Sequence, residues 1–383
     1  VTAQYLLASL VRRVYPADSR WLAVVAVLLL QGALVFHGSM TLSPDAPLLP
    51  VALCVVLATL RIADGLESEE IGRPSNADWL WLGVWIGLAG LSKYTSVTLA
   101  LSVVLVGLVR CGWRLFVQPG LWLSAGIALC LILPVLWWNW SNDWATVRFH
   151  TDYQFEDIER WSPTGFLEST AGQLLYYSPL VIIGGVAALA GLWRRRRRAI
   201  FDGAEGVLVL FVLPVLALYL LTALESRASP HWSMLGWLFL IPMLAAWLFE
   251  HWHGGRFVRW LTGISAAMSI VIYLGLLMLV LPAGQWPDYR HPARLVLGWE
   301  AAADRGRLLL SSLPDRGFTS ESVLLARNWH HAGLIEWYAD QPVQNLFHDL
   351  NPVNLRTGLS DRETWGVLIY PWDSETPRME NMA

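Results

Sequence analysis

The sequence predicts a polytopic α-helical membrane protein with a small C-terminal α/β domain on the extracytoplasmic side, and three observations predict it. The chain of 383 residues is 55% hydrophobic and only 15% charged, with a mean hydropathy of +0.45, whereas soluble domains carry roughly 25% charged residues. Too few polar side chains remain to cover a water-exposed surface of this size. Apolar runs long enough to cross a bilayer, about 20 residues, recur through residues 1–282, and after them short strand-like and helix-like segments alternate. The same numbers exclude a disordered chain or a disulfide-stapled secreted scaffold. Cys54, Cys111 and Cys130 lie in or beside apolar runs without metal-ligand spacing. The net charge of −3 argues against a nucleic-acid binder: residues 1–282 hold 18 basic and 17 acidic side chains, residues 283–383 hold 9 and 13.

Taken in order, residues 1–11 read as the end of a span, and Val1 stands in mid-pattern, so the chain reads as the continuation of something longer. Clear spans follow at 21–40, 121–140, 174–193, 207–224, 232–249 and 261–281. Residues 47–60 form a short run that becomes a plausible span if it packs against neighbours or continues to Ile62. The run 79–109 is too long for one span. It breaks at Ser92-Lys93-Tyr94-Thr95 and reads as two helices meeting at a polar joint.

Orientation follows the arginines. Arg12, Arg13, Arg20, Arg61, Arg73, Arg110, Arg114, Arg194–Arg198, Arg256 and Arg259 all fall on one side, 14 basic residues in total. The opposite loops hold Arg148, Arg160 and Arg227, with Lys93 at the joint. The arginine side is therefore expected to be cytoplasmic in an inner (plasma) membrane. Loops 41–46, 141–170 and 225–231 and the tail 283–383 then share the extracytoplasmic side. In the tail, 299–310 and 329–338 read as helices, and 322–326, 343–346 and 365–370 as strands.

Charged and polar groups within lipid are costly, which makes them the candidates. Lys93 is the one lysine of the chain. Flanked by Ser92, Tyr94 and Thr95, it is expected to meet an anion such as a lipid phosphate, the alternative being a lysine that snorkels to the interface. Asp45, between Pro44 and Pro47, could act as a general base or bind a divalent cation (magnesium or manganese), or could simply cap a helix. Arg227 and His231 in the next outer turn fit phosphate recognition, or a short hydrated turn. Asn139 and Trp144 belong to a tryptophan-rich loop whose rings suit the headgroup belt or a sugar face. His330, His331 and Glu336 resemble metal ligands only superficially, and His37 reads as an ordinary helix residue.

In this order, Leu42-Ser43-Pro44-Asp45-Ala46-Pro47-Leu48, Gly87-Leu88-Ala89-Gly90-Leu91-Ser92-Lys93-Tyr94-Thr95, Pro134-Val135-Leu136-Trp137-Trp138-Asn139, Ser229-Pro230-His231-Trp232 and the tail's Gly298-Trp299 and Ala332-Gly333-Leu334-Ile335-Glu336-Trp337-Tyr338 resemble the bacterial dolichyl-phosphate-mannose protein mannosyltransferase-like glycosyltransferases. These form family 39 of the GT-C superfamily, and the aminoarabinose transferases that modify lipid A are similar relatives. The resemblance implies a GT-C-like helical bundle that moves a sugar, a mannose-like hexose or a related one, from a polyprenyl-phosphate carrier. The acceptor would be a protein, lipid or glycan on the outer face. It implies metal or acceptor binding by Asp45 and matches Lys93 and the His231-Trp232 pair to family positions; with the residue chemistry, Asp45 is expected to be catalytic and Lys93, Tyr94, Arg227 and His231 to bind the donor phosphate. Asn139, Trp144 and Trp232 would lie at the cavity mouth. Family members begin with a span and a first outer loop bearing an acidic motif. This chain starts after that region, so by itself it is expected to be inactive.

Two other classes compete. A transporter or permease needs ionisable groups near the midplane and usually a repeated half, and neither is visible in the sequence. A membrane anchor for a binding tail would gather no polar side chains among its spans. The glycosyltransferase reading requires Asp45, Lys93 and His231 to line one outward-facing cavity.

Overall fold

The computed structural model describes residues 1–33, 43–67, 73–148, 163–225, 228–280, 298–312, 323–326, 329–345 and 366–369. These divide into two units. The first holds α1 (Thr2–Val14), α2 (Ser19–Gly32), α3 (Asp45–Glu67), α4 (Asn76–Ser92), α5 (Val97–Cys111), α6 (Pro119–Ser141), α7 (Pro163–Tyr177), α8 (Gly185–Arg195), α9 (Gly203–Glu225), α10 (Met234–His251) and most of α11 (Arg256–Val280). Among the described residues, six helices are long and apolar enough to cross a membrane, seven spans if the bent pair α7 and α8 counts as one. The protein is an integral membrane protein. Its α10 lies deep in the bundle, while α6 and α11 expose most of their length, including Trp122, Leu133, Ile270 and Leu274. In water such faces would be a liability; in lipid they are the solvated surface.

The two halves of the 79–109 run behave as expected. Helix α4 starts with a capping box in which Ser75 accepts from the Asp78 N–H and the Asp78 carboxylate accepts from the Ser75 N–H. It ends at Lys93, whose backbone is extended at φ −162°. A short 3-10 turn, Tyr94–Ser96, leads into α5. Helix α4 packs closely on α6 through Gly83 and Gly87. A Cβ at Gly83 would stand 2.6 Å from the Ser124 carbonyl oxygen, and one at Gly87 2.6 Å from a Leu131 methyl. Small residues four apart allow this approach where lipid tails cannot drive helices together.

Two expectations need correction. The run 47–60 is not short: α3 extends over 23 residues to Glu67. Its last turns carry charges that hydropathy counts against a helix, but each has a partner. Arg61 pairs with Asp78 at 2.9 Å, Asp64 with Arg13, and Glu67 with Arg110 at 2.8 Å. The run 174–193 is not one straight span. Helix α7 ends at Tyr177, a π turn (Leu180–Gly184) leads into α8, and the two parts meet at 102°. Pro179 disfavours helical backbone at the residue before it, and Ser178 takes a left-handed φ of 76°. The Leu180 N–H beyond the break is accepted by Ser265 Oγ of α11 at 2.9 Å. For the run 21–40, the described helix ends at Gly32, and residues 34–42, His37 included, lie outside the described residues.

The second unit contains Trp144 with the helical turn Ala145–Arg148, and the tail. The boundary between the two units falls between Leu274 and Gly275. The tail's elements follow the predicted alternation: α12 (Trp299–Ser311), β1 (Val323–Ala326), α13 (Trp329–Ala339), β2 (Val343–Asn345) and β3 (Gly366–Ile369). The strands form a parallel sheet in the order β2-β1-β3, with Leu324 opposite both Val343 and Val367. Parallel strands require crossovers, and α13 supplies the one between β1 and β2. Trp299, Ala303, Leu324, Ala332, Ile335 and Val343 form its core.

Candidate active site

Helix α3 runs from a charged end to a polar end. About 34 Å of helix separates the two at 1.5 Å per residue. At the end away from the arginines stands Asp45, the first residue of α3. Ser43 and Pro44 set the turn before it, where the Ala46 N–H donates to the Ser43 carbonyl at 3.0 Å. A carboxylate in a helix's first turn is favoured by the helix dipole, and Pro47 in that turn needs no N–H partner.

Lys93 reaches it from the joint between α4 and α5, its Nζ donating to Asp45 Oδ1 at 2.9 Å. The two side chains are only 19% and 16% exposed. The ammonium carries three donors. The Asp45 bond uses one, so two can be offered to an anion while the carboxylate keeps Oδ2 for a hydroxyl. His231 occupies a 3-10 turn, Pro230–Ser233, at the head of α10. It is close enough to feel the charge of both Lys93 and Asp45, and its ring stands edge-on to Trp232 at 6.4 Å. Two residues 48 positions apart in sequence, on two helix ends, thus meet.

The other expected site residues divide. Tyr94 follows Lys93 directly and is 54% exposed. Trp232 packs with Tyr219, Ala223, Ala228 and Phe166 beside the His231 turn. Asn139 is buried on α6 and donates back to the Val135 carbonyl of its own helix at 3.0 Å. Trp144 is grouped with the second unit, at a left-handed φ of 55°. Arg227 lies outside the described residues, as do His150 and the rest of loop 149–162. The Asp45 Oδ1 is taken by an ammonium, and among the described residues no three His, Cys, Asp or Glu side chains gather.

Sequence reasoning missed what lies beneath the His231 turn. Gln173 and Tyr177 of α7, with Ser233 and Trp237, form a buried polar network. Tyr177 donates to the Pro230 carbonyl at 2.9 Å, and Trp237 Nε1 donates to Gln173 Oε1 at 2.6 Å. One signal was available: a glutamine in the middle of an otherwise small and apolar stretch of α7.

Residues 1–138 match the family model described as Dolichyl-phosphate-mannose-protein mannosyltransferase. That segment contains Asp45 and Lys93, and His231 lies beyond it. The chain is 29% identical over 232 residues to the Lipid A galacturonosyltransferase RgtD of Rhizobium johnstonii, which is 58% of this chain and 46% of that protein. It therefore spans about half the length of this curated relative. The crystal structure of ArnT from Cupriavidus metallidurans bound to undecaprenyl phosphate matches with a TM-score of 0.56 at 16% identity. The apo state of the same protein matches at 0.53 and 17%. Each alignment covers 96% of this chain and 73% of the other. At such identity the likeness establishes the fold.

Proposed function

Taking the chain as a relative of the dolichyl-phosphate-mannose-protein mannosyltransferases, with the GT-C fold it shares with ArnT, we propose that it carries the membrane core of a lipid-linked glycosyltransferase. The donor is a polyprenyl-phosphate sugar and the acceptor a lipid at the outer leaflet. The sugar is a hexose or a hexuronic acid, since the relatives are named for mannose and for galacturonic acid. One observation carries this reading: a poorly hydrated Asp45–Lys93 pair within an apolar bundle, at the end away from the arginines.

The chemistry follows from that arrangement. A polyprenyl phosphate lodged in the bilayer brings its phosphate to the headgroup level, where Lys93 offers its remaining donors. The acceptor hydroxyl attacks the anomeric carbon and gives its proton to the Asp45 carboxylate. The bond between that carbon and the phosphate oxygen breaks, and its electron pair leaves with the polyprenyl phosphate. The growing negative charge is met by the Lys93 ammonium, with Arg227 as a second cation of the same outer turn. Attack opposite the leaving group inverts the anomeric configuration. Tyr94, His231 and Trp232 border the donor. The arginine end faces the cytoplasm of an inner membrane, which leaves the site and the C-terminal domain (residues 283–383) outside.

The test is transfer by the full-length protein in proteoliposomes, given labelled polyprenyl-phosphate mannose and galacturonic acid with a lipid A acceptor. Asp45→Ala and Lys93→Ala should each abolish transfer. Wild-type rates in both variants would remove the assignment.

A further inference from the structure

The network under the His231 turn has a cost that stability alone does not explain. Tyr177 and Ser233 are fully buried, and Gln173 and Trp237 nearly so. Replacing such groups with apolar ones of similar volume would avoid taking hydroxyl and amide groups out of water or lipid headgroups. The bonds are nevertheless complete and directional. Tyr177 donates to the Pro230 carbonyl (2.9 Å) and Trp237 Nε1 to Gln173 Oε1 (2.6 Å), while the one Ser233 proton has both the Pro230 carbonyl (2.9 Å) and Gln173 Oε1 (3.0 Å) within reach. The Gln173 carbonyl oxygen has lone pairs for both donors.

The backbone is shaped to make this possible. Tyr177 is the last residue of α7, and the left-handed Ser178 with Pro179 turns the chain by 102° immediately after it. A straight span would carry the segment past the turn. Gly172, one helical turn before Tyr176, lets α7 lie against the Pro230 ring, where a Cβ would come within 3.0 Å. Backbone held in a sparsely populated region persists where its surroundings over-determine it, and such positions gather at functional sites. The two residues bonded from below, Pro230 and Ser233, flank His231 on both sides.

We infer that Tyr177 and Ser233, held by Gln173 and Trp237, are positioning residues: they fix the Pro230–Ser233 turn and with it the placement of the His231 ring. The inference deepens the glycosyltransferase reading and rests on it for its kinetic consequence. Tyr177 and Ser233 touch neither donor nor acceptor and act through His231. Loss of the Tyr177 hydroxyl leaves the Pro230 carbonyl only the Ser233 hydroxyl of its own turn, unties the turn from α7 at that point and lets it drift, and a displacement of about 1 Å can cost up to a hundredfold in rate.

The test uses the full-length protein in nanodiscs with Tyr177→Phe and Ser233→Ala, changes that keep side-chain volume nearly intact. Tyr15→Phe is the control, because it removes a tyrosine hydroxyl bonded to Glu205 at 2.7 Å at the arginine end. Both test variants should lower kcat at least tenfold with donor KM within twofold, while Tyr15→Phe leaves both unchanged. Carbethoxylation of His231 by diethyl pyrocarbonate, read by peptide mass spectrometry, should change severalfold in Tyr177→Phe but not at His251 or His253. An unaltered His231 rate, or a kcat loss no greater than that of Tyr15→Phe, overturns the inference. The two readings fail separately. Full transfer by Lys93→Ala sinks the glycosyltransferase assignment and leaves the His231 labelling result standing.

Discussion

The two ends of the bundle handle charge differently. At the arginine end, Arg13–Asp64, Arg61–Asp78, Arg195–Glu250 and Arg196–Glu205 tie helix ends together, and their arginines are about half exposed or more. Pairs of that kind contribute about 0–1 kcal/mol each; their value lies in fixing topology. Arg110 is the exception, with a side chain 3% exposed that clamps Glu67 and the Gly203 carbonyl and so joins α3, α5 and the start of α9. At the opposite end a single pair, Asp45–Lys93, stands among the described residues. It forgoes most of its hydration without building a web. The contrast teaches that charge at one end staples the bundle, while the isolated pair at the other is the feature on which the proposed phosphate site rests.

The largest effect should come from that polar pair. Lys93→Ala is expected to lower transfer by about a hundredfold or more, whereas Arg195→Ala stays within twofold, measured side by side in proteoliposomes. Equal losses would erase the distinction between the ends. Next in size is stability. Lys93→Met leaves the Asp45 carboxylate unpaired and should cost about 1–3 kcal/mol in denaturation of the detergent-solubilised protein. This is less than the roughly 3–5 kcal/mol of a fully buried pair because both side chains keep some water. Arg195→Met should cost less than about 0.5 kcal/mol.

Gly87→Val tests how the joint is delivered to the site. A branched side chain there drives into Leu131, and overpacking of this kind costs about 1–3 kcal/mol. Because α4 carries Lys93 at its end, transfer should fall further than the loss of folded protein accounts for. The smallest effect belongs to the α4 cap at the arginine end. Ser75→Ala should cost about 1 kcal/mol. The Ser75 hydroxyl, more than Arg61, holds the Asp78 carboxyl below its ordinary value of 3.8. A carboxyl depressed on folding contributes stability that is fully present above that ordinary value and is lost as pH falls through the lower folded one. The Ser75→Ala deficit should therefore shrink on acidification below about pH 4, as read from melting temperatures across pH.

Much of this was legible in the sequence. The joint at Lys93 announced itself because a lone ammonium between apolar runs has no cheaper explanation than a break or a partner. The arginine bias gathered Arg13, Arg61, Arg110, Arg195 and Arg196 at one end of the bundle, as the pairs at α1, α3, α5, α8 and α9 attest. The tail's alternation of strands and helices is reproduced element by element. The pairing of Asp45 with Lys93 was expected only as shared membership of one cavity, since 48 residues separate them and no local rule links them. The length of α3 was misread because hydropathy penalises Arg61, Asp64 and Glu67 without knowing that each finds a counter-ion. The bend at Ser178 was hidden by apolar composition on both sides, although Pro179 marked it. Gln173, Tyr177 and Ser233 carried no signal as a set. Their meaning arises from burial and from bonds spanning 53 to 64 residues.

The account turns on a phosphate docking at the polar end, and phosphorus NMR tests that most directly. Decaprenyl phosphate titrated into nanodiscs holding the full-length protein should give a shifted, saturable resonance in the wild type and in Arg195→Ala. That resonance should be lost in Lys93→Ala. A Lys93→Ala protein that binds the phosphate as tightly as the wild type would contradict the account.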